Sequence, residues 1–305
     1  MPAGVHMTAR IGSHPVNRVG YGAMQLDQNV AEEDAGAILR RAVELGVNHI
    51  DTASFYGAGE VNRRIRRTLA PYRDDLVIVS KVGATPADGP IPLKPAQKPA
   101  ELRAEVEANL TELGLECIPV VNLRRLDLGP GVQAEGDQIV SMDDQLAEMI
   151  ALRDEGKIGA IGLSAVDVDG VRAALPAGIV CVQNAYSLLD RAQEATLELC
   201  RAEGIAWVPF FPLGSAFPGF PNVADNPVVQ AVAADLDATA AQVGLAWLLM
   251  HAPNTLLIPG TRSLHHLEQN IAAATLALPA DATAWLDAVG STEPQHHGMD
   301  QFIES

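Results

Sequence analysis

Residues 46–57 read GVNHIDTASFYG, and residues 76–83 read LVIVSKVG. Two short segments in this region, Val47–Asp51 and Asp75–Lys81, are rich in β-branched residues and predict strands, with a helix over Glu60–Leu69 between them. The second strand is almost continuously apolar, which is typical of a strand buried on both faces of a parallel sheet. The region therefore predicts a strand–helix–strand unit, the repeating element of α/β folds.

The same alternation of a short strand and a longer amphipathic segment repeats about eight times along the chain. The other predicted strands are Arg18–Met24, Ile118–Arg124, Ile158–Leu163, Ile179–Asn184, Ile205–Phe210 and Thr255–Ile258. The other predicted helices are Glu32–Leu45, Pro99–Leu113, Asp143–Glu155, Val168–Leu175, Asp190–Glu203, Pro227–Leu236, Ala240–His251 and Leu264–Ala274. Eight such units predict an α/β fold, a single (β/α)8 TIM barrel formed by the whole chain, residues 1–305. An N-terminal hairpin is expected before the barrel and an extra C-terminal helix, Asp281–Val289, after it.

A doubly wound open sheet is the alternative architecture for this alternation. To bind a dinucleotide, it would need G-x-G-x-x-G after the first strand, but residues 20–25 read GYGAMQ and lack the third glycine. In a barrel the working face lies at the C-terminal ends of the strands, so polar residues at those ends are the candidates for a site.

Charge and composition limit the classes of partner. The 305 residues carry 21 Lys and Arg against 38 Asp and Glu, a formal net charge of −17. Such a chain is a poor match for nucleic acid, which needs a basic face, and it is repelled by anionic lipid. The three cysteines are far apart, and the adjacent pairs His265–His266 and His296–His297 cannot chelate one metal from one helix face. We expect a soluble cytoplasmic protein that acts on a small molecule and binds no metal. It is expected to be a monomer or a weak homo-oligomer.

Four polar residues lie at or just after the ends of three consecutive predicted strands: Asp51, Tyr56, Lys81 and Arg124. In a barrel they would share one rim, which would then carry an acid, a phenol and two cations.

Six blocks of the chain resemble the aldo-keto reductase superfamily. They are residues 46–57, 76–83, 155–164 (EGKIGAIGLS), 182–191 (VQNAYSLLDR), 210–214 (FFPLG) and 258–270 (IPGTRSLHHLEQN). The resemblance implies hydride transfer from NADPH to an aldehyde or ketone, with Tyr56 giving a proton to the carbonyl oxygen. The chemistry of the rim agrees, because the Lys81 ammonium would stabilise the phenolate that remains and Asp51 would hold Lys81 in the site.

The fourth rim position departs from the family pattern, because Arg124 stands where most members carry histidine. A guanidinium brings a permanent charge and several donors, so Arg124 could stabilise the developing alkoxide or fix an acidic oxygen on the substrate. Arginine within VVNLR resembles a bacterial subgroup that includes pyridoxal reductases, and pyridoxal has a phenolic oxygen beside its aldehyde. The alternative is a nucleotide-binding sensor or regulatory protein with little turnover. Arg124 and Ala165, which stands where many members have asparagine, favour that alternative, whereas the intact Asp51, Tyr56 and Lys81 favour an enzyme.

The resemblance also implies which residues bind NADPH. Ser164 and Gln183 match the positions that hold the nicotinamide carboxamide, and Phe210 matches the aromatic position that stacks on the nicotinamide. The full set is Ala23, Met24, Ser164, Gln183, Phe210, Pro212, Leu213, Gly214, Gly260, Thr261, Arg262, His266 and Asn270. The expected substrate contacts are Gln25, Phe55 and Phe211, beside a loop over residues 215–222.

Discrimination between NADPH and NADH is expected to depend on Arg262, at the start of the eighth helix, where the helix dipole also attracts a 2′-phosphate. Residues 1–125 carry 15 basic and 15 acidic side chains, whereas residues 126–305 carry 6 and 23. Arg262 therefore acts against an acidic background, with His266 as the neighbouring helper.

Overall fold

The computed structural model describes residues 8–88, 93–126, 128, 132–214 and 221–291. Its strands are β1 (Thr8–Ile11), β2 (His14–Asn17), β3 (Tyr21–Gly22), β4 (His49–Asp51), β5 (Val77–Val82), β6 (Ala84–Pro86), β7 (Leu93–Pro95), β8 (Ile118–Arg124), β9 (Ile158–Ser164), β10 (Cys181–Gln183) and β11 (Ala206–Trp207). Its helices are α1 (Glu32–Glu44), α2 (Glu60–Leu69), α3 (Pro99–Leu113), α4 (Met142–Asp154), α5 (Val168–Ala174), α6 (Glu194–Ala202), α7 (Pro227–Asp235), α8 (Ala240–His251), α9 (Leu264–Ala272) and α10 (Ala280–Asp287).

A parallel sheet curls into a barrel at the centre of the fold. Its strands are hydrogen-bonded in the order β3-β4-β5-β8-β9-β10-β11. Residues 255–257 close the ring, because Thr255 forms a parallel bridge with Trp207 on one side and Leu257 forms one with Val19 on the other. The predicted (β/α)8 barrel is therefore confirmed, although its eighth segment forms isolated bridges and the first strand is shorter than predicted.

Alternation along each strand decides which side chains face the inside of the barrel. On β5, Val77 and Val79 pack inside, whereas Ile78 packs outward against the helices. The same period places Lys81 inside the barrel, near the C-terminal end of its strand. Strand β8 repeats the pattern, with Val120 inside and Val121 outside. Side chains two residues apart on a strand face the same side, so the inward-facing polar residues at the ends of neighbouring strands meet at one rim of the barrel.

The predicted N-terminal hairpin is confirmed, since β1 and β2 pair in antiparallel fashion. Its buried Ile11 and Val16 pack in the same cluster as the inward-facing Val77 and Val79. The hairpin thereby fills the N-terminal end of the barrel and leaves the opposite rim as the working face.

Several elements differ from the predicted ones, and strands β10 and β11 are shorter than predicted. Helix α6 begins at Glu194 rather than at Asp190, because Ser187 N donates to Asp190 O at 2.9 Å and closes a turn there, while Asp190 also bridges to Ser291. A second hairpin, β6 paired with β7, was not predicted and follows β5 directly. The extra C-terminal helix is present as α10, two residues shorter than predicted at its far end.

Among the described helices, none is by itself long and apolar enough to span a membrane. Helices α7 and α8 reach the required length and composition only when taken together, and they bend by 94° where they meet.

Candidate active site

A buried ion pair lies at the C-terminal rim of the barrel. Lys81 Nζ donates to Asp51 Oδ1 at 2.5 Å and to the carbonyl oxygen of Thr52 at 3.2 Å. Both charged side chains are about 3% exposed. Burial acts to lower the pKa of the Lys81 ammonium, but attraction to Asp51 and Tyr56 outweighs it and holds that pKa above its usual value. Lys81 is therefore a cation at neutral pH inside the barrel.

Tyr56 lies over this pair, in the loop that follows β4. Lys81 Nζ is 4.9 Å from the centroid of the Tyr56 ring, within the range of a cation–π contact. Phe55 is buried and meets Tyr56 edge to face, with ring centroids 5.1 Å apart, and it packs against Ala84 at the start of β6. The loop thus places a half-buried phenol beside a cation, as the sequence predicted.

Gln183 forms a hydrogen bond with the second oxygen of the Asp51 carboxylate. Its Nε2 donates to Asp51 Oδ2 at 2.6 Å, so each carboxylate oxygen has one partner. In contrast, Gln183 Oε1 and the Ser164 hydroxyl are fully buried and have no hydrogen-bond partner among the described residues. A buried acceptor and a buried hydroxyl without partners are costly unless a ligand satisfies them. A primary carboxamide, which has both a donor and an acceptor, fits these two groups.

Ala165 follows Ser164 with φ +53°, in the left-handed region. Asparagine adopts this conformation more readily than alanine does, which accounts for asparagine being suited to the position. Here the alanine side chain is buried and offers no hydrogen bond.

Arg124 is half-buried at the end of β8, paired in register with Ser164. Its guanidinium forms no hydrogen bond or ion pair with the described residues, and its Nε is buried without a partner. Burial lowers the pKa of this guanidinium, and the charge of an ionised Tyr56 would act in the opposite direction. A guanidinium remains protonated in proteins, so Arg124 is a cation beside Tyr56 that no carboxylate among the described residues neutralises.

The residues expected to bind the nucleotide end of the cofactor lie just before α9 and along it. Arg262 and His266 are exposed, Thr261 and Asn270 are buried, and Ser263 caps the helix by accepting from His266 N. Glycine at position 260 is explained by steric contact, because a Cβ there would lie 2.7 Å from Gly22 O. Met24 and Gln25 are exposed on the neighbouring rim.

Phe210 and Phe211 form the far side of the rim, with ring centroids 5.1 Å apart and ring planes nearly perpendicular. Gly214 N donates to Phe211 O and closes a turn that includes Pro212. Leu213 instead directs its half-buried side chain at Gly244 in α8, and the Ala23 methyl is buried in the core, so Ala23 can meet a ligand only through its backbone. The predicted substrate loop falls largely on residues 215–220, outside the described residues.

Sequence reasoning missed a set of buried polar side chains behind the rim. Thr52, Asn62, Ser80 and Asn109 are hydrogen-bonded to one another between the strands and helices α2 and α3. A second set comprises Gln97, Glu105, Gln145 and Arg125. The available signal was a polar residue on a helix face that is otherwise apolar, as Glu105 and Asn109 are beside Leu102 and Val106 in α3.

Comparison with known proteins identifies the family of the chain. Residues 18–291 match the family described as the Aldo/keto reductase family. A pyridoxine 4-dehydrogenase from Escherichia coli (strain K12) is 44% identical over 294 residues, which are 92% of this chain and 98% of that protein. An uncharacterized oxidoreductase from Schizosaccharomyces pombe is 36% identical over 295 residues, which are 94% of this chain and 90% of that protein.

Solved structures extend the likeness to the whole fold. The crystal structure of an aldo/keto reductase from Klebsiella pneumoniae, in complex with NADP and acetate, is similar with a TM-score of 0.80 and 25% identity. The similarity covers 97% of this chain and 100% of that one. The chain therefore belongs to the aldo/keto reductase family and is an NADP-dependent oxidoreductase.

Proposed function

We propose that this protein reduces an aldehyde that carries an acidic oxygen on the neighbouring carbon, and that pyridoxal is such a substrate. The observation that carries the proposal is the Arg124 guanidinium, a cation with no partner among the described residues, next to the Tyr56 phenol. The similarity to a pyridoxine 4-dehydrogenase supports the same substrate class, since pyridoxine is the alcohol that pyridoxal reduction yields.

Ser164 and Gln183 would hold the nicotinamide end of the cofactor through its carboxamide, since they offer the buried unsatisfied groups that it requires. The Phe210 ring would cover one nicotinamide face, and Arg262 with His266 would meet the 2′-phosphate. When bound, NADPH supplies the hydride that adds to the carbonyl carbon.

Proton transfer is assigned to Tyr56, whose hydroxyl would donate to the carbonyl oxygen as that oxygen becomes an alkoxide. The phenolate that remains would be stabilised by Lys81, because a buried ammonium acts through a low local dielectric. Asp51 and the Thr52 carbonyl hold the ammonium in place and keep it from turning toward water. Asp51 therefore acts through Lys81 and needs no contact with the substrate.

Arg124 would bind the acidic oxygen of the substrate. A phenolate at that position pairs with the guanidinium through charge-assisted hydrogen bonds, which are about twice as strong as neutral ones. That contact would hold the neighbouring aldehyde between Tyr56 and the nicotinamide side of the site. Substrates without the acidic oxygen would lose this orientation and leave Arg124 unpaired.

The test compares two aldehydes with the same ring nitrogen. Pyridoxal has the acidic oxygen, whereas pyridine-4-carbaldehyde lacks it. We define the selectivity ratio as kcat/KM for pyridoxal divided by kcat/KM for pyridine-4-carbaldehyde, both measured by NADPH oxidation. Because a hydrogen bond to a charged group is worth about 1.5–3 kcal/mol, we expect a ratio of about ten or more. A ratio near one, or pyridoxal reduced no faster than 4-nitrobenzaldehyde, would contradict the proposed function.

A further inference from the structure

Gln97 bridges the ends of two strands that carry candidate catalytic residues. It lies just before α3 and is about 1% exposed, away from the rim surface. Its side-chain Nε2 donates both to the carbonyl oxygen of Gly83 and, at 2.8 Å, to the carbonyl oxygen of Arg124. Gly83 follows the end of β5, two residues after Lys81, and Arg124 is the last residue of β8.

The Gln97 side chain lies at the point where the pairing between β5 and β8 ends. Strands β5 and β8 pair as far as Val82 and Leu123. Gly83 then has φ +111°, and a Cβ at this glycine would lie only 2.3 Å from Arg124 O. The carbonyl oxygens of Gly83 and Arg124 both lie within hydrogen-bond distance of one amide nitrogen at this point, and acceptors cannot pair with acceptors. The amide of Gln97 donates to both oxygens, and the Gly83 oxygen also accepts from Ala96 N at 3.1 Å.

Gln97 is itself held by a second buried glutamine. Gln145 Nε2 donates to Gln97 O at 2.7 Å and to Gln97 Oε1 at 2.9 Å, so the Gln97 amide cannot rotate freely. Gln145 Oε1 accepts from Arg125 Nη1 at 2.5 Å. The backbone N–H of Arg125 donates to Ser164 O at 2.9 Å. One buried network thus joins the ends of β5, β8 and β9.

The backbone of Arg124 is held by this network and by its pairing with Ser164. Because its guanidinium has no hydrogen bond or ion pair among the described residues, packing and its own backbone are what orient it within the part of the chain that the structure describes. We propose that Gln97 is a positioning residue, which fixes the backbone of Arg124 so that the guanidinium meets the acidic oxygen of the substrate. This inference rests on the proposed function, since it assigns Gln97 to substrate selectivity through Arg124.

The experiment replaces the two donors without changing side-chain size. Gln97→Met removes both of these hydrogen bonds and the one that Gln97 Oε1 accepts from Gln145, whereas Gln97→Glu keeps an acceptor for Gln145 but presents a carboxylate oxygen to the two carbonyls. In both variants we expect the selectivity ratio to fall about tenfold or more, because misplacing a positioning group by about 1 Å can cost up to 10²-fold. The matched control is Gln138→Met, since the Gln138 side chain bonds, among the described residues, to the Gln97 backbone N–H and the Glu101 carboxylate and to neither Gly83 nor Arg124. That variant should keep the ratio of the unmodified protein.

A double-mutant cycle separates positioning from a general structural role. In an Arg124→His background the selective contact is already gone, so adding Gln97→Met should leave the ratio unchanged. NADPH binding, followed by its fluorescence, identifies variants that have folded. Equal loss of kcat/KM for both aldehydes in a folded Gln97 variant, with the ratio preserved, would overturn the inference alone. A ratio near one in the unmodified protein would instead overturn the proposed function and the inference with it.

Discussion

The Lys81 ammonium lies 2.5 Å from the Asp51 carboxylate, and both side chains are buried inside the barrel. Removing one partner from a buried ion pair leaves an uncompensated charge, which typically costs about 3–5 kcal/mol. The same pair controls whether a cation stands beside Tyr56, so its loss has consequences for both stability and proton transfer.

Asp51→Asn keeps the size of the side chain and removes its charge. Attraction to Asp51 contributes to the raised pKa of Lys81, so the substitution should lower that pKa and the ammonium should be lost at lower pH. We therefore expect the alkaline limb of the kcat profile to move to lower pH, together with reduced stability toward urea. Asp75→Asn, at an exposed carboxylate paired with Arg73, is the control and should change neither. An unmoved alkaline limb would contradict the assigned role of Asp51.

Tyr56→Phe removes the hydroxyl and leaves the ring against Phe55 and Lys81. General acid catalysis is typically worth about 10²–10⁴-fold, so aldehyde reduction should fall by that factor. NADPH affinity, measured by fluorescence titration, should stay close to that of the unmodified protein, because none of the proposed cofactor contacts uses the hydroxyl. If reduction by the variant remained within about twofold of the original rate, another group would have to supply the proton.

The rim residues could be predicted from the sequence because strand periodicity is a local property. Asp51, Lys81 and Arg124 each end or nearly end a strand whose apolar residues alternate or run continuously, so their position on the rim follows once the barrel is recognised. The resemblance of six sequence blocks to the aldo-keto reductase superfamily then connected this charged rim to a cofactor and a reaction.

The residues behind the rim could not be predicted in the same way. Gln97 and Gln145 bond to backbone carbonyls and to each other across 48 residues of sequence, and no local pattern reveals such partners. The absence of a partner for the Arg124 guanidinium among the described residues was equally hidden, because only tertiary packing decides whether an acidic neighbour reaches it. Likewise, the backbone turn at Ser187 to Asp190 shortened a helix whose apolar spacing continued through it.

Glu105 should make stability depend on pH. Burial raises the pKa of its carboxyl group to about 8, while Glu105 Oε2 accepts from Gly83 N at 2.8 Å. In the unfolded chain the same group titrates near its ordinary pKa of about 4.3, so between these values the native state binds an extra proton. The stabilising effect is fully present below about pH 4.3 and is lost as the pH rises through about 8, at roughly 1.4 kcal/mol per unit of pKa difference.

Glu105→Gln therefore should flatten the dependence of the unfolding free energy on pH between about 5 and 8, as measured by urea titration at several pH values. Glu116→Gln, at an exposed carboxylate outside the network, should retain the original slope. The same slope in the Glu105 variant and the unmodified protein would show that this carboxyl is ionised in the native state across that range.

Arg262→Ala tests the nucleotide end of the site. Arg262 is exposed, and it forms no ion pair with the described residues that would already occupy its charge. A charge-assisted contact with a 2′-phosphate is worth about 1.5–3 kcal/mol, so NADPH affinity should fall about tenfold or more. NADH affinity should change little. Arg201→Ala, which breaks only an exposed pair with Glu198, serves as the control. Equal losses for the two cofactors would contradict the assignment of Arg262.

The decisive measurement is the selectivity ratio of Arg124→His beside that of the unmodified protein. Histidine restores the residue that most aldo-keto reductases carry at this position and removes the permanent charge. We expect kcat/KM for pyridoxal to fall about tenfold or more, while the value for pyridine-4-carbaldehyde falls much less or rises, so that the ratio approaches one. A variant that keeps both the original ratio and the original pH profile would show that Arg124 does not recognise the acidic oxygen of the substrate.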